Sequence, residues 1–211
     1  MTLKNIPKPK NYSKLVLHAI SYIIPSNLGY GYHYKKYTER IFFPIIRDKI
    51  RKLEITESEE IIIYLPTYSP LKLIELIKKI PQKKNWTIFS PDAKLRQNIS
   101  GVNIEPLSED LFLKKFASCY GIVCAGGFAT TSEAIFLGKP MIVVPVEAQI
   151  EQQFNAAALK KEGVTVIDRF SNENLDTISN WIDSPSILKI EYKDESKEIV
   201  DILINDYSNL K

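Results

Sequence analysis

Beyond residue 60 the chain alternates short unbroken apolar runs with longer stretches whose apolar positions recur three and four apart. Ile61–Leu65 (IIIYL) stops at Pro66, as a central parallel strand covered on both faces should. Pro70 to Ile80 places Leu71, Leu73, Ile74, Ile77 and Ile80 at helical spacing. Strands are predicted at Trp86–Phe89, Val102–Ile104, Tyr120–Cys124, Met141–Val144 and Val164–Ile167. Between and after them, helices are predicted to open at Ser108, with Glu109 and Asp110 in the first turn, and to cover Thr130–Leu137 and Gln149–Lys161. Ser171 is expected to cap a further helix reaching Ile182, and Ser196 to Leu210 to form the last one. Repeated strand–helix alternation predicts an α/β fold, a Rossmann-like doubly wound parallel sheet over residues 58–211.

Residues 1–57 have a different character. Pro7-Lys8-Pro9 reads as an extended arm. Tyr12–Ile24 is apolar, with pattern alone leaving a helix and a strand–helix remnant both open, and Asn27 to Gly31 makes a turn or open loop. Tyr37 to about Arg51 is predicted to be a helix bent at Pro44, its aromatic and aliphatic positions needing a cover.

Charge sharpens that division. The net charge is +3, but residues 1–53 hold eleven Lys and Arg against two acids, while the remainder holds seventeen against twenty-three. A basic front on an acidic body suits an anionic membrane surface or a protein partner, and equally a plain solvated face. Zinc-finger spacing and RNP-like aromatics are missing, so nucleic acid is not expected as a partner. The two cysteines, Cys119 and Cys124, form no metal-ligand pattern with the distant histidines, and no metal site is expected. No stretch reaches the ~18 apolar residues of a membrane span.

Candidate chemistry gathers beyond the carboxyl ends of the strands, where such folds bind ligands. After Cys124 the chain reads Ala125-Gly126-Gly127-Phe128-Ala129-Thr130-Thr131-Ser132-Glu133. Gly126 and Gly127 allow a sharp turn and close backbone approach, and the helix beginning near Ala129 aims its positive end at the same spot. That suits a phosphate or pyrophosphate held by Gly126, Gly127, Phe128, Ala129 and Thr130, with Glu133 one turn on to accept from ribose hydroxyls. A plain Gly-Gly turn with a capped helix and a solvent-facing Glu fits the same letters. The loop is neither a G-x-G-x-x-G fingerprint nor a Walker loop. Gln149, Glu151, Gln152 and Asn155 flank the next helix start, equipped to pair with sugar hydroxyls.

The run GGFATTSEAIFLGKPMIVVPVEAQIEQQFNAAALKKEG, Gly126 to Gly163, resembles the donor-binding signature of GT-B glycosyltransferases, especially the branch related to the bacterial lipid II N-acetylglucosaminyltransferase (family 28) and glycosyltransferase-related proteins of archaea and bacteria. Tyr30–Ile50 is similar to the interdomain stretch of the latter group. The resemblance implies the C-terminal half of a GT-B fold. It implies that the Gly127–Thr130 loop holds the diphosphate of a UDP-linked sugar and that Glu133 binds the ribose. Glu151 and Gln152 would touch the transferred sugar, and Asn155 would fix loop or ligand. Ile104, Glu105, Pro106 and Leu107 would pass the nucleobase. Pro66 to Ser69 departs from the Gly-rich turn of the lipid II enzyme. The implied reaction is an inverting transfer with a nucleotide sugar as substrate and no tightly bound cofactor.

A complete GT-B enzyme carries its acceptor site and usual base in another domain, so an acceptor-binding domain or subunit is an expected partner. His18 and His33 precede the α/β body and suit structural roles better than catalysis. The implied location is cytoplasmic, peripheral on the inner membrane face if the basic front binds lipid. Two other classes fit less well: a non-catalytic nucleotide-sugar-binding or scaffold protein, and a nucleotide-sugar epimerase, which would need a histidine after Gly127 that this chain lacks.

Overall fold

The computed structural model describes residues 6–9 and 29–208, and the apolar Tyr12–Ile24 segment, with His18, lies outside them. A small parallel pair, β1 (Gly31–Tyr32) and β2 (Ile41–Phe42), leads into a one-turn helix α1 (Asp48–Arg51). The body follows as β3 (Glu60–Tyr64), α2 (Pro70–Ile77), β4 (Asn85–Ser90), β5 (Gln97–Ile99), β6 (Val102–Pro106), α3 (Glu109–Ser118), β7 (Gly121–Cys124), α4 (Phe128–Leu137), β8 (Met141–Val143), α5 (Ile150–Lys161), β9 (Thr165–Val166), α6 (Leu175–Asp183) and α7 (Ser196–Ser208).

The seven-stranded sheet runs β5-β6-β4-β3-β7-β8-β9, parallel throughout except for the β5–β6 hairpin. Without β5 this is the doubly wound order, in which the chain works outward from β3 in one direction and then, from β7, in the other. The crevice at that reversal opens between the carboxyl ends of β3 and β7.

Both faces of the sheet are covered. Ile62, Ile122, Cys124 and Val143 look into one apolar cluster with Leu113 and Phe116 of α3, Ile135 of α4 and Leu159 of α5. Ile61, Ile63, Val123 and Ile142 look into a second cluster with Leu73 and Ile74 of α2 and Ile178 and Trp181 of α6. Burial on both sides explains why the strands carry unbroken rather than alternating apolar runs.

Three expectations change. The Tyr37–Arg51 helix is instead β2, an extended stretch through Pro44 and the single turn α1, because Ile41 and Phe42 pair with Gly31 and Tyr32. Most of its apolar positions are covered by the body itself: Ile46 and Ile50 are buried in the first cluster, while Ile45 stays exposed. The helix expected from Ser171 is a 3-10 turn, Asn172–Asn174, followed by α6, and Ser171 makes no capping bond. The β5 strand was not expected at all. It is held by a tight turn at Ser100 and Gly101, both with positive φ, as a two-residue hairpin requires. Ser108, by contrast, caps α3 as predicted, its Oγ accepting from the Leu111 amide at 3.5 Å.

Candidate functional site

The loop after β7 meets a geometric requirement at Gly126. A Cβ there would lie 2.8 Å from the Gln152 carbonyl oxygen, so α5 crosses the loop at a distance only glycine permits. Neither Gly126 nor Gly127 has a positive φ. Gly126 therefore serves the close approach expected of the pair, and neither glycine supplies a turn that needs a positive φ. Gly127 faces open space, with nothing within 4 Å of where a Cβ would sit.

Two side chains of α5 tie the loop down. Asn155 Nδ2 donates to the Gly126 carbonyl at 2.9 Å. Gln152 Oε1 accepts from the Gly126 amide at 3.2 Å and from the Val146 amide at 3.0 Å, while its Nε2 donates to Gln149 Oε1. The Gly126 N–H is therefore engaged. The amides of Phe128, Ala129 and Thr130, in the first turn of α4, have no partner among the described residues, and Gly127 provides no side-chain cap. They stand at the positive end of a ten-residue helix. Thr131 is turned inward: its Oγ1 bonds the Gly127 carbonyl at 2.9 Å and the buried Tyr34 hydroxyl at 2.7 Å.

One turn along α4, Glu133 is only 4% exposed, which removes the solvent-facing reading of this residue. It lines a cavity of about 270 Å³ with Tyr64 at the end of β3, Phe89 from β4, Leu107 and Ser108 after β6, Phe112 of α3, Thr130, Glu109 and Arg47. The cavity lies at the reversal of the sheet, with aromatic walls on one side and a carboxylate on the other. Both Glu133 oxygens are occupied: Arg47 Nε reaches Oε1 at 2.6 Å and Nη2 reaches Oε2 at 3.1 Å. Arg47 Nη1 also donates to Glu109 at 2.8 Å. The hydrogen bond from Lys49, with Arg47 adding to it, holds the Glu109 carboxyl below its usual range.

Of the four residues expected near a nucleobase, Leu107 lines this cavity. Ile104 is buried in the second cluster, away from it, and Pro106 closes β6. Glu105 is buried beside Arg96, whose Nε lies 3.1 Å away in an ion pair without hydrogen-bond alignment. Glu151 and Gln149 are exposed where α5 begins. Sequence reasoning missed Arg47 and Tyr34. Their signals, an arginine in the basic front and an aromatic-rich run, named no partner 86 or 97 residues away.

A larger cavity, about 630 Å³, opens at the other edge of the sheet beside Lys139, Tyr120 and Pro140. Its buried cation is already satisfied: Lys139 Nζ donates to the Thr56 carbonyl at 3.0 Å and the Cys119 carbonyl at 3.1 Å. No cluster of His, Cys, Asp and Glu able to hold a metal occurs among the described residues. None of the described helices is long and apolar enough to cross a membrane.

The model of glycosyl transferase family 1 matches residues 13–184. The chain belongs to that family. A curated relative from Finegoldia magna is 28% identical over 153 residues: UDP-N-acetylglucosamine--N-acetylmuramyl-(pentapeptide) pyrophosphoryl-undecaprenol N-acetylglucosamine transferase. The match covers 62% of this chain and 41% of that protein, so the family 1 chain spans less than half the length of this relative. Among solved structures it is similar to the glycotransferase of kitacinnamycin, at 16% identity and a TM-score of 0.48, over 68% of this chain and 40% of that one. It is also similar to the glycosyltransferase SnogD from Streptomyces nogalater, at 14% identity and a TM-score of 0.42, over 86% and 54%.

Proposed function

We propose that the chain is the donor-binding half of a glycosyltransferase that uses a nucleoside-diphosphate sugar, with uridine as the base. The observation that carries this reading is the junction of three amides at the start of α4, without partners among the described residues, with the buried Glu133 carboxylate one turn away, at the sheet reversal. A diphosphate accepts from amides at a helix N-terminus, and a carboxylate accepts from paired ribose hydroxyls. The base lies against Tyr64, Phe89, Phe112 and Leu107. The sugar extends toward Gln149 and Glu151, while Gln152 and Asn155 shape the loop from behind. Uridine rests on the family resemblance and on the UDP-sugar named for the F. magna relative.

In the proposed reaction an acceptor hydroxyl attacks the anomeric carbon from the face opposite the diphosphate. The new C–O bond forms as the bond to the diphosphate oxygen breaks, inverting the centre. The α4 amides take up the charge developing on the leaving oxygen. The acceptor and the base that takes its proton come from another domain or subunit, so residues 58–211 are the nucleotide-sugar-binding module and residues 1–57 the arm and linker toward that partner. The basic front would hold the assembly against an anionic lipid surface on the cytoplasmic side.

Calorimetry against UDP, UDP-N-acetylglucosamine and UDP-glucose, with ADP and GDP as controls, tests the reading. Binding selective for uridine diphosphates is the expected result. Absence of binding by all five would leave the scaffold reading in its place.

A further inference from the structure

Arg47 occupies the groups that the proposed function assigns to the ribose. It reaches Glu133 from just before α1, fills both carboxylate oxygens in a two-pronged bond, and holds Glu109 with its remaining nitrogen. The partners differ in freedom: the Glu133 side chain is 5% exposed and that of Arg47 50%. The buried acid cannot leave, whereas the arginine can. Arg47 is also the one cation among the described residues lining the cavity, where the other two charged groups are Glu109 and Glu133.

Resting on the donor-site reading, we infer that Arg47 is an exchangeable occupant of the nucleoside site and makes that site select nucleoside diphosphates over nucleosides. A ribose reaching Glu133 must break the bidentate ion pair. An uncharged nucleoside offers the freed guanidinium nothing in return. A nucleoside diphosphate brings its own anion to the α4 amides, beside the place Arg47 vacates, and a guanidinium binds phosphate oxygens with the same fork it uses for a carboxylate. Without Arg47 that anion would enter a cavity where Lys49 still pairs with Glu109 but nothing offsets the buried Glu133 carboxylate. The exchange therefore penalises the nucleoside and favours the diphosphate through one residue.

Titration of the full chain with uridine and UDP, in wild type and in Arg47→Ala, tests this. In wild type, UDP should bind at least about a hundredfold more tightly than uridine. In Arg47→Ala, UDP should weaken about tenfold, roughly one fully formed charge-assisted contact, while uridine holds or tightens by about threefold, so the gap narrows. Arg47→Lys should fall between, retaining the charge without the fork. Raising the salt should weaken UDP and spare or strengthen uridine in wild type, since the half-exposed ion pair is screened. Equal weakening of both ligands would mean Arg47 only props the site, and no change in either would mean it plays no part; each result overturns the inference while leaving the donor reading in place. If neither protein binds either ligand, the donor reading fails and takes this inference with it. Thermal unfolding of the same samples detects a folding defect, in which case Arg47→Gln, which keeps most of the side-chain length, supplies the comparison.

Discussion

The two edges of the sheet each hold a cavity and a buried charge, but they satisfy that charge differently. At the amino edge, Lys139 is 5% exposed and donates to two main-chain carbonyls, which cannot move away without breaking the loops that carry them. At the carboxyl edge, Glu133 is equally buried, yet its partner is a half-exposed side chain on a neighbouring segment. A charge fixed by backbone is structure. A charge matched by a removable side chain, next to helix amides without partners among the described residues, suits a ligand. Cavity volume alone would favour the amino edge over the proposed site, since the space beside Lys139 is more than twice as large.

That contrast breaks most visibly at Lys139. Lys139→Met strands the Thr56 and Cys119 carbonyls and should cost about 3 kcal/mol of stability, read by denaturant unfolding, with UDP affinity of the folded protein unchanged. A loss of affinity with no loss of stability would reverse the roles given to the two edges. Glu133→Ala should do the opposite, weakening UDP by about 2 kcal/mol, the worth of a charge-assisted hydrogen bond, with a smaller change in unfolding midpoint. Unaltered calorimetric affinity would remove the ribose role. Gly127→Ala sharpens the comparison further. Its φ of −65° and the open space around it accept a methyl group, so stability should hold or rise by up to about 1 kcal/mol, while the methyl enters the space assigned to phosphate and weakens UDP several-fold.

The smallest effect is a pH dependence away from both edges. Burial lowers the His33 pKa, with Glu162 opposing it weakly. A folded pKa below the unfolded value of about 6.5 means that the unfolded chain binds more protons between the two values. Stability should therefore decline as pH falls from about 6.5 toward the lowered pKa, and His33→Gln should flatten that part of the curve in thermal melts. A slope of opposite sign would assign the dominant influence to Glu162.

How far these features could be read in advance follows from the range over which each is determined. IIIYL and the Ser108 cap depend on neighbours in sequence, and both formed as expected. Gly126, Gly127 and Glu133 were legible as a group because one strand, one turn and the first turns of one helix bring them together. The reason for Gly126 was not legible, because it lies in a backbone atom of Gln152, on the next helix. The strand Gln97–Ile99 has no alternation to show, and only the Ser100-Gly101 turn marks it. Tyr37–Arg51 has helical spacing, but pairing of Ile41 and Phe42 with β1 overrides local preference there. Arg47 was one basic residue among many until the fold set it against Glu133.

The fastening of Gly126 by Asn155 and Gln152 has a consequence for how such a protein can change. In the proposed function phosphate grip and sugar choice sit on different loops, and these two bonds make them one mechanical part. Glu151, on the outer side of the helix start, can be exchanged to retune the proposed sugar contact without disturbing the loop, whereas Gln149 accepts from Gln152 and is tied to the loop through it. A replacement at Gln152 or Asn155 shifts both at once. Inheritance of a new sugar preference is therefore open along one side of the helix and closed along the other.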